Sequence, residues 1–186
     1  MFTPEIEKRI TERTDLLRKQ YHQTDVFKYR LGSPNNSKVR RAKLSFMRSY
    51  VNNPHNAYTV RLRRAYAEAD VLAEMQPVIN DGELIVGLPD HGKLTPEEQR
   101  EYDEYEKMMR AAPSTTTETR GHMSLDFEKL VNVGVNGLLK EVRERKALLD
   151  LSRPENLSKD EFYEGCIAEL TALAGLAERY CAYAAE

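Results

Sequence analysis

At 186 residues the chain is long enough for one domain with a real hydrophobic core. Charged residues make up 31% and the hydrophobic set 40%, which fits a helical protein with wide solvated faces, and the net charge of -2 offers no general attraction to nucleic acid or to a membrane. No apolar run approaches the roughly 18 residues of a membrane span, and the opening Met-Phe-Thr-Pro-Glu-Ile-Glu lacks the apolar centre of a signal peptide, so a cytoplasmic location is expected.

Thr3-Pro4-Glu5 opens the first helix with an N-cap, a proline at the first helical position and an acid in the first turn. Ile6, Ile10, Leu17 and Tyr21 share one stripe, broken by Arg13, and the helix is expected to fade near Gln20. Gly32-Ser33-Pro34-Asn35-Asn36 reads as a loop. A second helix over about 37–51 points Val39, Ala42, Phe46, Met47 and Tyr50 inward, and Asn52-Asn53-Pro54 stops it. A third over about 59–75 buries Leu62, Ala65, Ala69 and Leu72.

Between Val26 and Ala67 there is no acidic residue, while Lys28, Arg30, Lys38, Arg40, Arg41, Lys43, Arg48, Arg61, Arg63 and Arg64 all lie there. One reading is an anion or nucleic-acid surface. The other is a pair of basic helix faces that dock on acidic partners elsewhere in the same protein, and the acidic flanks and balanced total charge favour it.

The third helix delivers the chain to Asn80-Asp81-Gly82-Glu83-Leu84-Ile85-Val86-Gly87. Asn-Asp-Gly is turn chemistry, and Leu84-Ile85-Val86 closed by Gly87 has the pattern of a buried strand. Val78-Ile79 supplies a second arm, which predicts a short β-hairpin near residues 78–87. A lone hairpin is marginal in water, so the hairpin is expected to join a sheet that nothing else in the chain provides.

Thr95-Pro96-Glu97-Glu98 combines a capping box with an N1 proline. The helix that follows, to about Ala111, is nearly all charge apart from Tyr102, Tyr105, Met108 and Met109, and is expected at the surface. Pro113-Ser114-Thr115-Thr116-Thr117 is a polar loop. A long helix over about 125–149 carries the stripe Phe127, Val131, Gly134, Leu138 and Val142, with Gly134 suggesting close backbone approach by a neighbour. The last helix is expected to start at the capping box Ser158-x-x-Glu161. Its stripe is Tyr163, Ile167, Leu170, Ala174, Ala177, Cys181 and Ala184, and the small residues Ala174, Gly175 and Ala177 would let another helix come close. It runs to the last residue with no stop signal, which suggests that the chain is a segment of a longer protein.

Catalytic chemistry has little to stand on. His22, His55, His91 and His122 are scattered singly, none near a cysteine, so no metal ligand set is expected. There is no phosphate-binding glycine loop, and Ser114 with the threonines after it lacks a neighbouring His–Asp arrangement. The pairs Glu97/Glu98 and Asp103/Glu104 sit on a solvated helix where carboxylates titrate normally. Cys166 and Cys181, about 60° apart around one helix and roughly 22 Å apart along it, cannot bridge each other, and read as two free thiols.

The stretch Arg63-Arg64-Ala65…Leu72…Pro77-Val78-Ile79-Asn80-Asp81-Gly82-Glu83-Leu84-Ile85-Val86-Gly87 resembles the N-terminal part of glycyl radical enzymes, the pyruvate formate-lyase-like family. Gly121-His122 with Asp126-Phe127-Glu128-Lys129, then Asn136-Gly137-Leu138, then Phe162-Tyr163…Glu178-Arg179-Tyr180…Ala184 resemble later helices of that family in the same order, although Cys181 stands where the family has alanine. Together these cover most of residues 38–186. Family members are several times longer. The resemblance implies a mainly α-helical segment with one hairpin, the N-terminal part (residues 1–186) of a ten-stranded α/β barrel. It also implies an anaerobic lyase, nearer the dehydratase, decarboxylase and C–N or C–S lyase branch than pyruvate formate-lyase itself.

In that family a backbone glycine near the C-terminus passes its radical to a cysteine on a barrel loop, which then takes hydrogen from substrate. The glycine loop is absent here. Gly165-Cys166-Ile167 partly matches the Gly-Cys-Val/Ile-Glu cysteine loop, but it falls inside a helix, with Ala168 in place of the glutamate. Cys166 is therefore read as a small apolar helix residue, and no catalytic, cofactor-binding or metal residue is expected on this chain. The implied cofactor is a protein glycyl radical installed by an activating enzyme that uses S-adenosylmethionine and an iron–sulfur cluster. The implied partners are the C-terminal barrel portion of the same enzyme, that activating enzyme and a second copy in a homodimer, with neither nucleic acid nor membrane. The competing reading is a free-standing, non-catalytic helical protein-interaction module.

Overall fold

Helix α3 (Val60–Glu74) is the axis on which the other helices are arranged. The computed structural model describes residues 3–23, 37–52, 59–79, 94–111 and 125–185. On one side α3 packs on α2 (Ser37–Asn52), which also carries α4 (Pro96–Ala111); on the other it packs on α6 (Pro154–Ala185), which pairs with α5 (Phe127–Ala147). Among the described residues, helix α1 (Pro4–Gln23) takes part in none of these four pairings.

The small side chains of α3 make the sandwich possible. Ala67 is fully buried toward the cluster of Leu44, Phe46, Met47, Tyr50, Tyr102 and Met109 that joins α2, α3 and α4. Ala65, around the axis from Ala67, meets α6. A Cβ built on Gly165 would stand 2.9 Å from the Ala65 Cβ, so the helix axes approach more closely there than any larger pair allows. Because α2 is covered by two neighbours, its buried arc is wider than a single-face stripe. Leu44 and Ser45 are buried beside the expected Phe46, Met47 and Tyr50, while the side chain of Val39 lies outside the described residues.

The capping signals are largely realised. The Ile6 N–H reaches Thr3 Oγ1 at 3.4 Å and the Leu62 N–H reaches Thr59 Oγ1 at 3.4 Å. At α4 the box closes reciprocally, with the Glu98 N–H on Thr95 Oγ1 (3.2 Å) and the Thr95 N–H on Glu98 Oε2 (2.7 Å). Helix α6 corrects the expectation. It begins at Pro154, a turn before Ser158, because proline has no N–H to leave orphaned at N1 and its φ is already helical. Asp150 shapes the approach by accepting from the Ser152 N–H and hydroxyl, and Glu161 accepts from the Thr59 hydroxyl instead of closing a box with Ser158.

Two further expectations change. Among the described residues there is no strand. Val78 and Ile79 carry no strand pairing, and residues 80–87, where the hairpin's turn and second arm are expected, lie outside the described residues. The architecture seen is helical, and neither the hairpin nor a barrel receives support from it. Gly134 does not serve close approach either, since nothing lies within 4 Å of a Cβ built on it. Its φ of 65° and ψ of 178° turn the chain out of α5, as glycine alone does readily. The close approach belongs to Gly137, whose Cβ would meet the Val133 Cβ at 2.7 Å. Phe127 and Val131, expected inward, are therefore 63% and 82% exposed, while Leu138 and Val142 beyond the bend are half-buried.

Candidate functional site

The basic face of α2 is bound within the chain. Arg41 donates through both terminal nitrogens to Glu98 (2.6 and 2.7 Å), and Arg48 makes a second two-point contact to Glu101 (2.9 and 2.8 Å). Lys43 reaches Glu106 at 3.5 Å and Arg40 donates to Gln99 at 3.1 Å. Arg63 of α3 donates to the Tyr50 carbonyl (2.7 Å) and lies 4.2 Å from the centre of the Tyr50 ring. The acid-free stretch thus supplies docking groups for α4 and for the α2–α3 joint. A groove of about 240 Å³ beside these pairs is lined by Arg41, Ser45, Arg48, Glu74 and Glu98; Arg41 bonds Glu98 and Ser45 donates to Glu74 within it, while Arg48 bonds Glu101.

The more open cleft, of about 310 Å³, lies where α3 and α6 separate beyond the Gly165–Ala65 contact. Arg61, Arg64 and Glu68 line it from α3; Glu161, Phe162, Cys166 and Glu169 line it from α6. Burial pushes the Glu68 carboxyl above the usual range, with Arg64 opposing. Glu169 is pushed up by burial first and by the charge of Glu68 second, although its exposed flank lets solvent screen part of the effect. Burial, then the negative charge of Glu169, also raises the Cys166 thiol. The cleft therefore disfavours added negative charge and keeps Cys166 as the thiol, the unreactive form toward electrophiles.

Sequence reasoning assigned no site residue and did not find Glu68 or Glu169. They stand about a hundred positions apart on two helices, and only helix packing faces them toward each other. Gly165 and Cys166 lie within α6, where the capping argument expected a helix, and Gly165 is accounted for by its contact with Ala65. Among the described residues no group of three His, Cys, Asp or Glu side chains is placed to hold a metal ion. Two cysteines cannot supply the thiolates of an iron–sulfur cluster, so these residues do not fit a resident cluster.

A family model described as pyruvate formate lyase-like matches residues 93–186. The chain belongs to the pyruvate formate lyase-like family. No curated protein and no solved structure matches it. The matched part contains α4, α5 and α6, and so the Cys166 wall of the cleft, while the Glu68 wall lies before it. No helix of the described residues is long and apolar enough to cross a membrane.

Proposed function

We propose that this chain is the N-terminal helical scaffold of an anaerobic, cytoplasmic glycyl radical lyase, of the dehydratase, decarboxylase or C–N or C–S lyase kind. In this reading it packs against the ten-stranded α/β barrel that carries the reactive cysteine and the radical glycine, and an activating enzyme using S-adenosylmethionine and an iron–sulfur cluster installs the radical. The observation that carries the reading is the apolar surface of the family-matched helices. Leu125, Leu148, Leu157 and Phe162 are 62%, 85%, 57% and 54% exposed. Large apolar side chains left open in such numbers mark surfaces covered by other protein. Cys166, a helical thiol with a raised pKa, is in this reading a wall residue.

The test is anaerobic activation of the natural gene product with its activating enzyme, followed by electron paramagnetic resonance and turnover. The scaffold reading expects a glycine-centred radical, with Cys166→Ser keeping turnover within about twofold of wild type. Loss of turnover in Cys166→Ser with the radical intact would give that cysteine the catalytic role. Absence of any radical would leave the interaction-module reading in its place.

A further inference from the structure

Helix α5 is bent so sharply that its first turn folds back on the middle of its second part. Lys129 Nζ lies 2.6 Å from Glu141 Oε2, although twelve residues of straight helix separate their Cα atoms by about 18 Å, beyond the combined reach of the two side chains. The turn is at Gly134. Yet the apolar pattern of α5 is written for a straight helix, on which Phe127, Val131, Gly134, Leu138 and Val142 fall within about 80° of one another.

The partner helix carries the matching gap. Along α6 the positions Tyr163, Ile167, Leu170 and Ala174 are partly covered, whereas Ala177, Cys181 and Ala184 on the same stripe are exposed. Lys146 pairs with Asp160 (3.0 Å) and Glu164 (2.8 Å), which sets the register of the α5–α6 hairpin. Stepping back along α5 and forward along α6 at equal rise puts Gly134 level with about residue 174, Val131 with about 177 and Phe127 with about 181. Along this stripe, cover over α6 thus ends at the level where α5 turns away, although the face toward α3 stays buried at Leu176 and Tyr180. Two exposed surfaces, one of large residues and one of small, continue a single established interface.

We propose that α5 is a two-state strap, which in its second state straightens at Gly134 and lays residues 127–133 along the open end of α6, with Val131 over Ala177 and Phe127 over Cys181. Straightening breaks the Lys129–Glu141 bridge, returns Gly134 to helical φ and ψ, and covers both exposed stripes. The bent state is held by the Lys129–Glu141 pair, which spans the bend, whereas the Glu141–Arg145 pair lies wholly beyond it and is kept in either state. The inference does not rest on the family reading.

The test uses the 186-residue chain carrying Phe127→Cys and Cys166→Ala, so that the one intramolecular disulfide available joins residue 127 to Cys181. In the bent state residue 127 lies near the level of Glu141, about 20 Å along the helix from Cys181, far outside disulfide reach. Mild oxidation at low protein concentration, read by peptide mass, is expected to yield the 127–181 disulfide. The rate should rise at least about threefold with Lys129→Ala, which removes the bent-state bridge. It should rise again with Gly134→Ala, since alanine is strained at positive φ and favours helix. No intramolecular disulfide, or equal rates with and without Lys129, overturns the proposal. Circular dichroism monitors folding, and if Gly134→Ala fails to fold the Lys129→Ala comparison decides alone.

Discussion

Gly165 and Glu68 show how much of the α3–α6 joint rests on single side chains. Gly165→Ala gains helix propensity of about 1 kcal/mol but drives a methyl group against the rigid Cβ of Ala65, where overpacking typically costs about 1–3 kcal/mol. The net expectation is a loss of about 1 kcal/mol, seen as a fall in Tm of a few degrees, with part of it restored by Ala65→Gly in the double variant. Equal stability of Gly165→Ala and wild type would mean that the helices separate without cost. Glu68 acts through charge. Its folded pKa lies above that of the unfolded chain, so the folded state binds more protons between the two values and stability falls as pH rises through them. Glu68→Gln is therefore expected to be more stable than wild type at pH 7. The difference should close as pH drops below the ordinary glutamate value, and thermal melts across pH 4–8 check it.

Between elements, the bonds join helix to helix more than they stabilise any one helix. Arg179 of α6 donates to the carbonyls of Leu72 (2.6 Å) and Met75 (3.3 Å) at the open end of α3, satisfying acceptors that the helix itself cannot. Arg179→Met keeps the bulk and loses these bonds, for an expected loss of about 2 kcal/mol in urea unfolding. The α2–α4 contact depends on pH in the opposite sense to Glu68. Hydrogen bonds from Arg41 to Glu98 and from Arg48 to Glu101 hold both carboxyls below their usual pKa. Their stabilisation is present above the unfolded value and is lost as pH falls through the depressed folded ones. Arg48→Met should leave a shallower acid limb in a pH melt, and an unchanged limb would show that the pair contributes nothing there. Much of this was legible beforehand. The acid-free run announced basic faces that dock within the chain, and Thr95-x-x-Glu98 announced the start of α4, but Glu98, expected as an ordinary carboxylate on a solvated helix, is bound and held low by Arg41. Met108 was not legible, because the stripe on α4 holds two adjacent methionines and only the position of α2 selects Met109 as the buried one, leaving Met108 55% exposed.

At the scale of the molecule, the uncovered surface of α5, α6 and their connection governs behaviour in solution. As a scaffold separated from its barrel, the 186-residue chain should self-associate with concentration and bind hydrophobic dyes, whereas a self-sufficient interaction module should sediment as one species and melt cooperatively. Leu148→Lys and Leu157→Lys change residues that are 85% and 57% exposed, so stability should stay within about 0.5 kcal/mol of wild type while association weakens. A larger loss would show these leucines covered in the folded chain.

The sequence alone determined where most helices lie, the N-caps of α1 and α4, the family and the docking of the basic faces within the chain. These are local or pairwise signals, carried by spacing, by caps and by the sign of nearby charges. Tertiary structure alone decided the wide buried arc of α2, the pairing of α2 with α4, the facing of Glu68 and Glu169 and the bend of α5. Each depends on which helix lies against which face, and the bend also on a backbone conformation that a glycine permits without announcing. Periodicity describes one straight helix at a time, whereas burial is a property of the neighbours.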